Sequence, residues 1–176
     1  MIETDRLILR PWRDGDLEAL AAINADPAVS RWLGGPITRD MTAAAIARQQ
    51  EYQQRLGFCY WAACLRDGGG LVGMIGLQPT RFDAHFTPAI DIGWRLGAAW
   101  QGRGLATEGA RAALDFGRRQ AGLSDIVAIT AVGNHASRAV MERIGLIRDA
   151  DGDFDHPSLA TDHPLCRHVL YRSPAA

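Results

Sequence analysis

Gly102 and Gly104 stand where a β-rich run gives way to a helical pattern, within Trp100-Gln101-Gly102-Arg103-Gly104-Leu105-Ala106-Thr107-Glu108. Glycine admits positive φ and lets a ligand approach the main chain closely. The first amides of a helix have no partner inside it and carry partial positive charge. A strand, a glycine turn and a helix therefore make an anion site suited to phosphate or pyrophosphate. The same spacing equally describes a tight turn that binds nothing, since short glycine patterns recur by chance. Two nucleotide-binding readings are weakened. A nucleoside-triphosphate loop ends in Gly-Lys-Ser/Thr, whereas Gly104 is followed by Leu105-Ala106-Thr107. A dinucleotide fingerprint needs a third small residue and an acid closing the next strand, and residues 126–132 end without one.

The elements that must position this turn follow from apolar period and punctuation. Leu7 and Leu9 alternate with polar neighbours over 6–10 until Pro11, which predicts a short strand. Asp14 offers a helix N-cap before Leu17, Leu20, Ala21 and Asn24, and Asp26-Pro27 stops that helix. Thr38 and Gly57 bracket a second helix. Residues 58–66 and 71–77 read as a hairpin joined by Asp67-Gly68-Gly69-Gly70, and 79–88 as a loop. Residues 89–96 form the next strand, with Ile90, Ile92, Trp94 and Leu96 on one face and Asp91, Gly93 and Arg95 on the other. A helix follows from about Thr107 to Gln120. Residues 126–132 are a strand buried on both faces, and Asn134 to Ile144 a last helix. Residues 146–147 and 167–171 are weaker strands flanking an acidic loop, 149–164. A strand–helix–strand crossover requires parallel pairing, and the hairpin adds an antiparallel part. The fold class is α/β (α+β), a mixed central sheet with helices on both faces, in one domain.

The chain has 176 residues, 47% hydrophobic and 22% charged, which excludes a disordered or fibrous class. A net charge of -1 gives no electrostatic reason to expect nucleic acid or an anionic membrane as partner. Charges and glycines interrupt every apolar run, and the N-terminus carries acids where an export signal needs bases. A cytoplasmic protein is expected, as a monomer or a homodimer. The three cysteines, Cys59, Cys64 and Cys166, match no disulfide scaffold and read as free thiols. His156, His163, Cys166 and His168 sit at spacings that fit no standard zinc pair, so no metal is expected.

Gln101-Gly102-Arg103-Gly104-Leu105-Ala106 resembles the Gln/Arg-x-x-Gly-x-Gly/Ala motif of GCN5-related N-acetyltransferases. Ile92-Gly93-Trp94-Arg95-Leu96 before it, Ala106-Thr107-Glu108-Gly109-Ala110 after it, and Asn134-His135-Ala136-Ser137-Arg138 through Ile144-Gly145-Leu146 fall in the family's order. Arg6-Leu7-Ile8-Leu9-Arg10-Pro11 is similar to the opening of the ribosomal-protein (RimJ/RimL-like) branch. The resemblance implies a sheet that splays open between 89–96 and 126–132, with acetyl-CoA in the gap. Its pyrophosphate would take amides from Gly102, Arg103, Gly104, Leu105, Ala106 and Thr107, beside Gln101. Its pantetheine would pair with the edge of Trp94, Arg95 and Leu96. Asn134 would bind the pantetheine arm, and Ser137 would sit near the sulfur. The acetyl acceptor would be a protein N-terminus or a small amine.

Acyl transfer builds negative charge on the thioester oxygen, so an amide of Arg95–Leu96 is a candidate oxyanion donor. The amine must lose a proton, and Asp91 and His85 are the candidate bases. Each also reads as an ordinary surface group. Many family members protonate the departing thiolate with a tyrosine on the last helix. None lies between Asn134 and Gly145, so Ser137 is the substitute. That absence, with the unsettled base, motivates the alternative of a CoA-binding sensor or interaction domain without catalysis. Attack through Cys59 or Cys64 is a third route. Arg103 and Arg138 are candidates to meet CoA phosphates. The 149–164 loop is expected to shape the acceptor pocket.

Overall fold

The structure, a computed structural model, describes residues 1–68 and 70–174. Gly69 of the expected hairpin turn lies outside the described residues. Strands β1 (Ile2–Glu3), β2 (Leu7–Arg10), β3 (Tyr60–Leu65), β4 (Leu71–Pro79), β5 (Ile90–Leu96), β6 (Ile126–Ala131), β7 (Ile147–Asp155) and β8 (Arg167–Arg172) form an eight-stranded sheet. Its order is β1-β2-β3-β4-β5-β6-β8-β7. The helices are α1 (Asp16–Ala25), α2 (Pro27–Ser30), α3 (Arg39–Leu56), α4 (Leu105–Arg119) and α5 (His135–Arg143). Only β5 and β6 run parallel among the described pairs, joined by the α4 crossover that the sequence requires. No helix among the described residues is long and apolar enough to cross a membrane.

The sheet splays where expected. β4 and β5 pair at seven positions, from Pro79↔Ile90 to Gly73↔Leu96. β5 and β6 pair only at Ile90↔Ile126 and Asp91↔Val127. From Ile92 onward β5 therefore has no strand beside it on the β6 side, although it runs on to Leu96.

Side-chain alternation sends the two faces of the sheet to different helices. Ile75, Leu77, Ile92 and Leu96 pack against Leu105, Ala110, Ala113 and Leu114 of α4 and Val140 and Met141 of α5. On the other face, Ala62 and Met74 meet Trp12, Leu20 of α1 and Ile46 of α3. Beyond β6, on that same side, Val127 and Leu170 pack with Phe86 and Phe154. Helix α4 lies close to the sheet because it presents glycines there. A Cβ at Gly109 would stand 2.5 Å from Ile75 Cδ1, and one at Gly117 2.8 Å from Leu77 Cδ1. Gly109→Val should cost about 3 kcal/mol by overpacking this seam. Urea unfolding checks it; an unchanged midpoint would mean the helix can ride outward freely.

Several boundaries differ from the sequence reading. Helix α1 starts at Asp16, behind Gly15, not after an Asp14 cap. Asp16 instead turns back, accepting from Arg10 Nη1 and Nη2 at 2.7 and 2.8 Å and from the Arg13 amide at 2.8 Å. Asp26 does stop α1, but its side chain also caps the one-turn helix α2. Helix α4 starts at Leu105, two residues before Thr107, because Gly104 at φ 78 serves as its N-cap. Residues 149–155 are not loop. β7 runs through them and pairs with β8 on either side of an irregularity between Asp149 and Phe154. That bulge absorbs Asp151-Gly152-Asp153, which read as turn residues. β1, two residues long, carries too little period to be seen in sequence.

Candidate active site

The splay opens a cleft of about 590 Å³ that reaches both faces of the sheet. On the α4 face its end is the glycine turn. Gln101, Gly102, Gly104, Leu105, Ala106 and Thr107 all line it. Gly102 and Gly104 adopt φ of 71 and 78, the left-handed region that favours glycine. No side chain caps α4, and a Cβ on Gly102 would meet nothing within 4 Å. The main chain here is open to an anion. Gln101 is tied back by its side-chain amide, which donates to the Leu96 carbonyl at 2.9 Å.

The first residues of the chain hold this turn in place. Arg6 Nη1 donates to the Arg103 carbonyl at 2.9 Å. Glu108 accepts from Thr4 Oγ1 at 2.6 Å, the Arg6 amide at 2.8 Å and Arg6 Nε at 2.6 Å. Burial works against the charged Glu108, but these donors from Thr4 and Arg6 hold its carboxyl below the usual range. Arg103 itself does not line the cleft; its guanidinium lies 5.1 Å from the centre of the Trp100 ring. Arg138 likewise turns away, to the Val132 carbonyl at 3.1 Å. Arg111 and Arg143 flank a side groove next to Gly102, Gly104 and Thr107, a pair of cations the sequence reading missed.

Trp94, Arg95 and Leu96 line the cleft along the unpaired length of β5. Asn134 and Ser137 line it from α5. Asn134 is also a working N-cap: its Oδ1 accepts from the Ser137 amide at 3.3 Å, and its Nδ2 donates to Thr130 Oγ1 at 3.0 Å. One Nδ2 proton is left over, since a primary amide carries two.

The opposite face holds the titratable groups. Asp91 lines the cleft and accepts a hydrogen bond from the Tyr60 hydroxyl. Burial pushes the Asp91 carboxyl up to about 7, against the pull of that hydrogen bond. Burial, then the neighbouring Asp91, keeps Tyr60 well above its usual range, so the phenol stays protonated and donates. Gly93 is what lets the pair form: a Cβ there would collide with the Tyr60 hydroxyl. Tyr60→Phe removes the donor that holds Asp91 down. The Asp91 limb in a pH profile of kcat/KM should therefore move above about 7. A limb that stays in place would show the two groups to be uncoupled.

His85 is not brought to the cleft. Its ring packs on Phe86, 5.3 Å between centres, and near Phe154 at 6.5 Å. A different histidine lines the cleft from the far side of the splay. His168 stands opposite Ala131 on β8. Its Nδ1 lies 3.1 Å from the Cys166 carbonyl, so Nδ1 carries the proton and Nε2 keeps its lone pair. Burial pulls His168 below the usual imidazole range, against that hydrogen bond. His156 packs against it at a tilt, 4.9 Å between ring centres, within the Phe82 and Phe154 cluster, which accounts for part of the histidine grouping read in sequence. The cysteines are buried and none lines the cleft. Burial pushes the Cys59 thiol up to about 12.

Tyr60, Val29, Trp32 and Leu33 were not singled out from sequence, and His168 was read only within the histidine and cysteine grouping. Tyr60 reaches Asp91 only through the register that places both it and Gly93 opposite Gly76. The other four come from α2, the link after it, and β8.

Residues 6–147 match the model of the acetyltransferase (GNAT) domain. The chain is 30% identical over 180 residues to the FsC-acetyl coenzyme A-N(2)-transacetylase of Aspergillus fumigatus, covering 97% of this chain and 76% of that one. It is 29% identical over 144 residues to the Bacillus subtilis protein YkkB, covering 81% and 83%. The crystal structure of an acetyltransferase from Agrobacterium tumefaciens superposes with a TM-score of 0.80 at 28% identity, over 98% of this chain and 93% of that one. With the glycine cradle, the splayed β5–β6 pair and these matches together, the chain belongs to the GNAT acetyltransferase family and is a transferase.

Proposed function

We propose that the protein moves an acetyl group from acetyl-CoA to a primary amine by direct attack, within one domain spanning 1–176. The observation that carries this is the joining of two unlike sites by one cleft. Uncapped main-chain amides lie on the α4 face, and a carboxyl pushed up to about 7 lies on the other. The residues present fit the cofactor: Gly102 leaves open space and α4 offers amides without a cap, as a pyrophosphate requires. Acetyl-CoA would supply the activated acyl group.

Gly102 to Thr107 would hold the diphosphate, and the unpaired edge of Trp94–Leu96 the pantetheine arm. An amide of Arg95–Leu96 would meet the charge that builds on the acyl oxygen. Asp91 would take the amine's proton, directly or through water, because a base near neutrality is best placed for that transfer. Ser137 would give a proton to the leaving thiolate, which needs only a weak donor at an unperturbed pKa of about 8.5. Cys59 and Cys64 lie outside the cleft, so thiol-blocking reagents should leave activity intact. A cytoplasmic setting, a protein N-terminus as an alternative acceptor, and a place in the RimJ/RimL-like branch belong to the same reading; the branch rests on residues 6–11.

The test incubates the protein with acetyl-CoA and a panel of amines and follows free thiol. Turnover with any amine above the hydrolysis background supports the reading. CoA bound tightly with no acceptor used would instead favour a non-catalytic CoA-binding domain, to which the lack of a tyrosine on α5 lends weight.

A further inference from the structure

Arg95 is a half-buried cation without a counterion. It sits on the face of β5 that carries Asp91, since the register pairs it with Met74 and turns it toward α1. Its Nη1 donates to Asn24 Oδ1 at 2.7 Å, and Asn24 passes that bond to Thr42 at 2.9 Å. Its Nε is buried with no partner. Among the described residues no carboxylate lies within ion-pair reach of it. A guanidinium has five donors, so most of this one's capacity is unused. Taking a cation out of water without an anion is strongly unfavourable, and such a group is stabilised by whatever anion reaches it. Arg95 lines the cleft, so that anion can come from a ligand.

The diphosphate of CoA is not that anion. Its cradle belongs to α4, which packs on the face bearing Ile92 and Leu96, whereas Arg95 points through the other face. The anion must arrive on the acceptor side. There Val29, Trp32, Leu33 and Met74 line the cleft and suit an apolar body, beside Arg31, whose guanidinium lies 5.5 Å from the centre of the Trp32 ring. Asp91 and Arg95 stand four residues apart on one face of one strand, about 13 Å between Cα atoms.

We propose that the acceptor is a small amine that also carries a carboxylate, and that the Arg95 fork binds the carboxylate while the amine faces Asp91. This rests on the acetyl-transfer reading above and narrows its acceptor. A planar fork matches a carboxylate with two parallel hydrogen bonds, which also fixes orientation.

The experiment begins with calorimetric titration of CoA into the wild-type protein; no binding would sink the transfer reading and this one with it. With CoA binding established, kcat/KM is measured for leucine, methionine, phenylalanine and 5-aminopentanoate, each against its carboxamide. The acids should exceed the amides by at least about 10-fold. Arg95→Met should lower kcat/KM for the best acid by about 100-fold and collapse the preference for the acid over its amide to about twofold or less. Arg95→Lys should recover part of the loss, and it keeps the charge should the Met variant fold poorly. Which acid is best separates α-amino from ω-amino acceptors. The proposal falls if amides serve as well as acids, if Arg95→Met lowers both equally, or if CoA binds but no amino carboxylate is acetylated while a peptide N-terminus is.

Discussion

Asp91→Asn should lower kcat/KM for the amine by about 100- to 10,000-fold and leave CoA affinity unchanged. Asparagine keeps the size and can still meet the Tyr60 hydroxyl, but it cannot accept a proton. The wild-type rate should rise with pH through a limb near the Asp91 value of about 7, as the carboxyl becomes the base. The variant should lack that limb. The same group shapes stability in the opposite sense. Its folded pKa lies above the ordinary aspartate value of 3.8, so the folded state holds a proton that the unfolded chain has released. Between pH 4 and 7 stability therefore falls as pH rises, because the fold must carry a buried charge. Asp91→Asn should flatten that part of a curve of unfolding free energy against pH. Rate loss without the change in pH dependence would reduce Asp91 to a structural residue.

What could be read from the sequence divides along a physical line. The glycine turn was legible because its information is local: two glycines, a strand end and a helix start all lie within nine residues, 100–108. The splay followed from the same stretch through the family resemblance. The acceptor side was not legible in this way. Tyr60 and Asp91 are separated by 31 positions, and only strand register makes them neighbours. Asp91 was named among candidates, but its burial was not visible. Its strand neighbour Arg95 was read only as cofactor edge, because sequence does not show whether a charge has a counterion. The histidines were misjudged for a related reason. His85 is in a loop next to the right strand but turns into the Phe86 and Phe154 cluster, while β8 carries His168 to the opening. Residues 149–155 of the 149–164 loop were misread because a bulge lets acidic, glycine-bearing residues stay in a strand.

Gly104→Glu should weaken CoA binding by at least about 100-fold in calorimetry. Two effects act together at this position. The residue sits at φ 78, where a side chain costs about 1–2 kcal/mol. A Cβ there would come within 3.4 Å of Arg6 Nη2, and the carboxylate beyond it would find the open amides of α4. The new side chain would thus occupy the anion site as an internal competitor and repel a diphosphate. Gly104→Ala separates the two effects, because it carries the backbone strain without the charge. Alanine should lose stability by a similar amount yet keep most of the CoA affinity. If alanine loses as much affinity as glutamate, the turn's shape matters and its free amides do not. If neither variant loses affinity, the diphosphate lies elsewhere, and the assignment of residues 102–107 as its cradle fails.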